Sequence, residues 1–189
     1  SLSSLAISDW TYSSITLVHA DDKPFKSLMI SLTHELEGLA AGAENGAALG
    51  EQTGEVISDN GDVTVISRGV NETYKDLTIS NKISAENGSV TVISSNGSLT
   101  INEAAGGGGI IAKYDIDLNA EDSVVIQNAS GITTTEGGLE IKANTGKVDV
   151  NGDLSAQQDI TVDAQKGVNV TGTNTYDQWK IGETKKAQY

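Results

Sequence analysis

Residues 137–172 read GGLEIKANTGKVDVNGDLSAQQDITVDAQKGVNVTG. One small unit recurs in this stretch: a turn of Gly, Asp, Asn or Ser, then aliphatic–x–aliphatic. The pairs here are Leu139/Ile141, Val148/Val150, Ile160/Val162 and Val168/Val170. Alternation with period two places both members of a pair on one face of a strand. The residue between them points the other way, and it is polar: Glu140, Asp149, Thr161, Asn169. Upstream, the same unit gives Val63/Val65, Leu77/Ile79, Val90/Val92, Leu99/Ile101, Ile116/Leu118 and Val124/Ile126.

Asn60-Gly61, Asn87-Gly88, Asn96-Gly97, Gly137-Gly138 and Asn151-Gly152 punctuate the units. Read locally, Asn-Gly favours hairpins and an antiparallel meander. A longer period argues against that. Taking every second pair, Val90 to Ile116 is 26 residues, Ile116 to Leu139 is 23 and Leu139 to Ile160 is 21. The interleaved series runs 25 residues from Leu99 to Val124, 24 to Val148 and 20 to Val168. Repeats of this length with strand–turn–strand content predict a right-handed parallel β-helix, an all-β solenoid. Each coil holds two clear strands, and a shorter third is expected near Ile110/Ile111 and Ile132. A single coil buries too few aliphatic side chains to offset the entropy of ordering its backbone, so coils are stable only as a stack.

The pattern divides the chain. Residues 60–172 are the β-helical repeats, with residues 105–109 (Ala105, then Gly106–Gly109) as a flexible loop. Residues 1–59 read as less regular coils or a cap with an excursion. Strands are expected at Leu5-Ala6-Ile7, Ile15–Val18 and Leu28–Leu32, with Pro24 in a polar turn over 21–26. Residues 35–50 are rich in Ala and Gly and read as a loop or one short helix. Residues 173–189 turn polar and basic (Lys180, Lys185, Lys186) and read as a C-terminal cap or tail.

Composition narrows the function. Asp and Glu total 26 against 12 Lys and Arg, a net charge of −14, so no basic stripe exists for nucleic acid or an anionic membrane. There is no cysteine, which excludes disulfides and thiolate metal sites. No apolar run is long enough to span a bilayer as a helix, and no membrane insertion is expected. Ser1-Leu2-Ser3-Ser4 lacks the character of a signal peptide, so an exported chain would carry its signal elsewhere.

The motifs that imitate chemistry are incomplete. His34-Glu35 opens like a zinc-protease helix, but the second histidine position is Gly38, and His19 is the only other histidine. Asp149-Val150-Asn151-Gly152-Asp153 starts like a calcium loop, yet its glycine is misplaced and the twelfth position is Ile160. Asp115 and Asp117 read as strand-surface residues in the same way. Catalytic β-helices need several acids on one face, and Asp117, Glu140 and Asp149 are expected on different faces. Arg68 is the lone arginine. The sequons at Asn71, Asn128 and Asn169 arise readily in a chain this rich in Asn, Ser and Thr. No catalytic, cofactor-binding or metal-binding residue is therefore assigned, no cofactor is expected, and the chain is not expected to be an enzyme.

The units GDVTVIS (61–67), GSVTVISSNGSLTI (88–101) and the opening 137–172 stretch resemble the repeats of large exported bacterial adhesins of the filamentous haemagglutinin type. The resemblance spans about residues 55–172 and rests on the style of the repeat. It implies a right-handed β-helical shaft, a fragment of a longer chain, secreted or at the bacterial cell surface. Its partner would be a receptor or glycan on host or bacterial cells. The alternative is a carbohydrate-binding or carbohydrate-cleaving β-helix, akin to a polysaccharide lyase or tailspike. A groove lined by outward acids and aromatics would mark it, and beyond residue 59 the aromatics are Tyr74, Tyr114, Tyr176, Trp179 and Tyr189.

Overall fold

The computed structural model describes residues 14–19, 29–32, 51–52, 55–70, 72, 75–102, 109–127, 131–171, 174–175, 178–183 and 187–188. These residues form strands and turns with no helix. The first strands are β1 (Ser14–His19), β2 (Met29–Leu32) and β3 (Glu51–Gln52). A three-strand rhythm follows: β4 (Val56–Ser58), β5 (Asp62–Ser67), β6 (Leu77–Ile79); then β7 (Ile83–Ala85), β8 (Val90–Ser94), β9 (Leu99–Ile101). It continues with β10 (Ile110–Ala112), β11 (Ile116–Ala120), β12 (Val124–Ile126), β13 (Gly131–Thr134), β14 (Leu139–Ala143) and β15 (Val148–Val150). The last strands are β16 (Asp153–Ser155), β17 (Asp159–Ala164), β18 (Val168–Val170), β19 (Asn174–Thr175), β20 (Gln178–Glu183) and β21 (Ala187–Gln188).

Each strand pairs with its counterpart one coil away, and this builds three sheets. The eight-stranded sheet runs β2-β1-β5-β8-β11-β14-β17-β20. The seven-stranded sheet runs β21-β18-β15-β12-β9-β6-β3, and the six-stranded one runs β19-β16-β13-β10-β7-β4. The pairings are parallel except β1 with β2, which is antiparallel. The chain is therefore a parallel β-helix with three faces. The expected third strand exists in every coil from β4 onward. Sequence had marked it only at Ile110/Ile111 and Ile132 because it carries one large aliphatic per coil beside a small residue: Ile83 with Ala85, Ile110 with Ala112, Ile132 with Thr134.

The core is a set of columns. Val63, Val90, Ile116, Leu139 and Ile160 stack along the eight-stranded sheet, each aligned with the next. All five are buried. Leu77, Leu99, Val124, Val148 and Val168 do the same in the seven-stranded sheet. The final inward position of the eight-stranded sheet is small, Ser67, Ser94, Ala120, Ala143 and Ala164, where the coil turns toward its next face. Beyond residue 172, β19, β20 and β21 add one more strand to each sheet. At the other end β1 pairs with β5, and β2 closes the eight-stranded sheet outside it. The readings at residues 5–7, 21–26 and 35–50, and most of the 105–109 loop, lie outside the described residues.

The corners explain why Asn-Gly does not make hairpins here. A type I′ turn needs positive φ at both central residues, but among the described glycines only Gly167 has positive φ (118°). Glycine serves another purpose at these corners. A Cβ on Gly88 would collide with the backbone carbonyl of Gly61 in the coil below. Side chains then latch corner to corner. Ser89 N donates to Asp62 Oδ1 (2.8 Å), Asp115 N donates to Ser89 Oγ (3.1 Å), and Gly138 N donates to Asp115 Oδ1 (3.0 Å). Buried hydroxyls brace the same turns from inside: Gly61 N donates to Ser58 Oγ (3.2 Å), and Thr134 Oγ1 donates to Gly137 O (2.6 Å).

Candidate functional site

The outward residues of the eight-stranded sheet form their own columns. One reads Thr64, Thr91, Asp117, Glu140, Thr161 in successive strands. At its middle lies an open groove of about 280 Å³, lined by Asp115, Ile116, Asp117, Gly138, Leu139, Glu140, Asp159 and Thr161. This corrects the expectation that Asp117 and Glu140 occupy different faces. They are aligned on β11 and β14, nearest neighbours in one sheet. The reason is the coil period: their pairs are every-second pairs, and every second pair returns to the same sheet. Asp149 is indeed elsewhere. It lies on β15 in the seven-stranded sheet, in an ion pair with Lys147 (3.2 Å).

The four acids of the groove differ in their surroundings. Asp115 is a corner latch through its bond from Gly138 N. Asp117 is half-buried, and its Oδ1 has no hydrogen-bond partner. Burial raises its pKa, the neighbouring Glu140 carboxylate raises it further, and Lys142 lowers it. Glu140 is exposed. Asp117 and Glu140 are thus aligned carboxyls in different surroundings, one half-buried and one exposed. Tyr114 adjoins the groove in sequence at Asp115 and is exposed (44%), with the Lys113 ammonium 5.3 Å from its ring centroid. Sequence alone names Tyr114 only among the aromatics and does not join Asp159 to Asp117. The available signal was an acid immediately before an aliphatic–x–aliphatic unit, as at Asp62, Asp115 and Asp159.

Other sequence candidates fall apart in space or into structural roles. Asn151, in the calcium-like stretch, accepts from Thr171 Oγ1 at 2.7 Å, and Asp153 begins β16. Among the described residues no group of three or more His, Asp or Glu is placed to hold a metal ion. Asn169 of the last sequon is an outward residue of β18. Arg68 is exposed in the turn after β5, where its carbonyl accepts from Asn96. His19 ends β1, whereas His34, Glu35, Gly38, Asn71 and Asn128 lie outside the described residues. Trp179 is in β20, aligned with Ile160.

No protein-family model, no curated protein and no solved structure matches the chain.

Proposed function

We propose that the chain is a structural and adhesive segment of a secreted or cell-surface bacterial filamentous adhesin of the filamentous haemagglutinin type. It acts as a rigid shaft that mediates attachment to a receptor or glycan on another cell. The observation that carries this reading is the unbroken parallel register from β4 to β18 in all three sheets. A stack in which every rung bonds to the rungs on either side resists bending and extends by repetition, as a spacer requires. The net charge of −14 favours solubility and opposes lateral aggregation of such shafts. The resemblance of residues 55–172 to adhesin repeats points the same way. The test is attachment: beads carrying the purified chain should bind epithelial or bacterial cells above bare beads, and soluble chain should compete. Beads that bind no better than bare ones would remove the adhesive part of the reading.

A second reading is favoured by one specific observation, the Asp117–Glu140 groove with Tyr114 beside it. Carboxylates accept hydrogen bonds from sugar hydroxyls, and an exposed ring offers a stacking surface. The described residues that line the groove include no cation, so a neutral saccharide fits it better than a polyanionic one. On this reading the chain is a carbohydrate-binding or carbohydrate-cleaving β-helix. Incubation with neutral polysaccharides separates the two. New reducing ends that vanish in both Asp117→Asn and Glu140→Gln would establish cleavage, and glycan binding without turnover would leave the shaft reading in place.

A further inference from the structure

We propose that Asp117 and Glu140 share a proton between neighbouring rungs, so that acid tightens the middle of the solenoid. The outward column of the eight-stranded sheet reads Thr64, Thr91, Asp117, Glu140, Thr161. Threonine is uncharged and β-branched, and it suits an outward strand position. Asp117 and Glu140 interrupt that ladder on consecutive strands. They are aligned in register, which sets their backbones about 4.8 Å apart. Like charges directly opposite each other destabilise a sheet. A pair set against the local pattern marks a place where stability is given up for another purpose.

The surroundings sharpen the conflict. Asp117 is half-buried, and its Oδ1 is enclosed with no hydrogen-bond partner. A carboxylate in that position has lost water and gained no donor at that oxygen in exchange. On one side β8 presents the uncharged Thr91. On the other, β14 presents Glu140 in register and Lys142 at the next outward position. Asp163 on β17 is aligned with Lys142, and the corners of the groove add Asp115 and Asp159. Asp115 Oδ1 already accepts from Gly138 N, which leaves Glu140 as the acceptor in register with Asp117. Burial, and after it the Glu140 carboxylate, raise the Asp117 pKa, and Lys142 lowers it.

A proton on Asp117 relieves both costs at once. It ends the like-charge contact and the burial of an ionised carboxylate. It also supplies an O–H that donates to the Glu140 carboxylate one rung away, a strong kind of hydrogen bond. That bond ties β11 to β14 beside their backbone ladder. The folded value lies above the ordinary 3.8, so this contribution is complete below 3.8 and is lost as pH rises through the folded value. The rung is tightest in acid. Neither the shaft reading nor the saccharide reading is needed for this coupling.

The experiment combines two measurements on the folded, isotope-labelled chain. Carbon-detected NMR follows the Asp117 carboxyl through a pH titration, and amide hydrogen exchange gives protection factors for β11 and β14. Asp117 should titrate above the ordinary 3.8, and Glu140→Gln should bring its midpoint down. Protection of the β11 and β14 amides should rise about two- to fivefold from neutral to mildly acid pH. The control is the β6–β9 ladder, where Thr78 is aligned with Thr100 and no such rise is expected. Asp117→Asn places a neutral amide donor at the same position, so it should hold the protection at its acid level at every pH. An Asp117 carboxyl that titrates at the ordinary value, or one that Glu140→Gln leaves unmoved, would overturn the proposal. So would protection that rises equally in the control ladder, or that still varies with pH in Asp117→Asn.

Discussion

Leu118→Ala probes the interior most sharply. Leu118 is the central residue of β11, fully buried, and aligned with Val92 on one side and Ile141 on the other. Truncation to Ala removes the isopropyl end of a side chain held between those two rungs. The lost transfer energy at ~0.8 kcal/mol per carbon is about 2.4 kcal/mol, and the residual cavity brings the total to about 2–5 kcal/mol. Parallel strands in adjacent rungs cannot slide to close the gap without breaking register, which favours the upper half of that range. Val125 supplies the control. It is an outward aliphatic on the next strand of the same coil, and Val125→Ala should cost less than about 0.5 kcal/mol. Urea unfolding followed by far-ultraviolet circular dichroism measures both. The reasoning is refuted if Leu118→Ala unfolds within about 0.5 kcal/mol of the parent, or if the two variants cost the same.

Two further substitutions and a pH series test the groove and the corners. Asp117 has a raised pKa in the folded chain, so its protonation favours folding. The associated stability is complete below the unfolded value of 3.8 and is lost as pH rises through the higher folded value. Asp117→Thr, matching Thr64, Thr91 and Thr161 in the same column, should therefore stabilise the chain at pH 7. The gain should stay under about 1 kcal/mol because the group is half exposed, and it should shrink as the pH of the denaturation series falls. A gain that persists unchanged at acid pH would contradict the assignment. Gly137→Ala drives a Cβ into the Tyr114 backbone and should cost about 1–3 kcal/mol or more. Gly131→Ala, with open space around its Cβ, should stay within about 0.5 kcal/mol, and thermal melts compare the two.

What sequence revealed of this fold follows from where large aliphatics sit. All ten alternating pairs, from Val63/Val65 to Val168/Val170, are buried members of two sheets. The spacings of the two interleaved series are the observed registers, as Val90 with Ile116 and Leu99 with Val124 illustrate. The third sheet was hard to read because its short strands pair one large residue with a small one, as in Ile83-Ser84-Ala85. Periodicity needs two large residues to register. The Asp117–Glu140 neighbourhood is implicit in the same spacing, but only coil by coil: successive pairs along the chain fall on different sheets, and every second pair returns to the same one. The groove around them could not be foreseen. It depends on the corners at Asp115 and Asp159, whose placement rests on inter-coil hydrogen bonds and close glycine packing that no alternation pattern encodes.

Distances along one outward column test the stacking itself. With spin labels replacing Thr64 and Glu140, and in a second sample Thr64 and Thr161, double electron–electron resonance reads separations across three and four rungs of the eight-stranded sheet. At ~4.8 Å per rung, the backbone positions should lie about 14 Å and about 19 Å apart. Separations that fail to grow from the first pair to the second would mean that the chain folds back on itself instead of climbing, and the parallel solenoid would have to be abandoned.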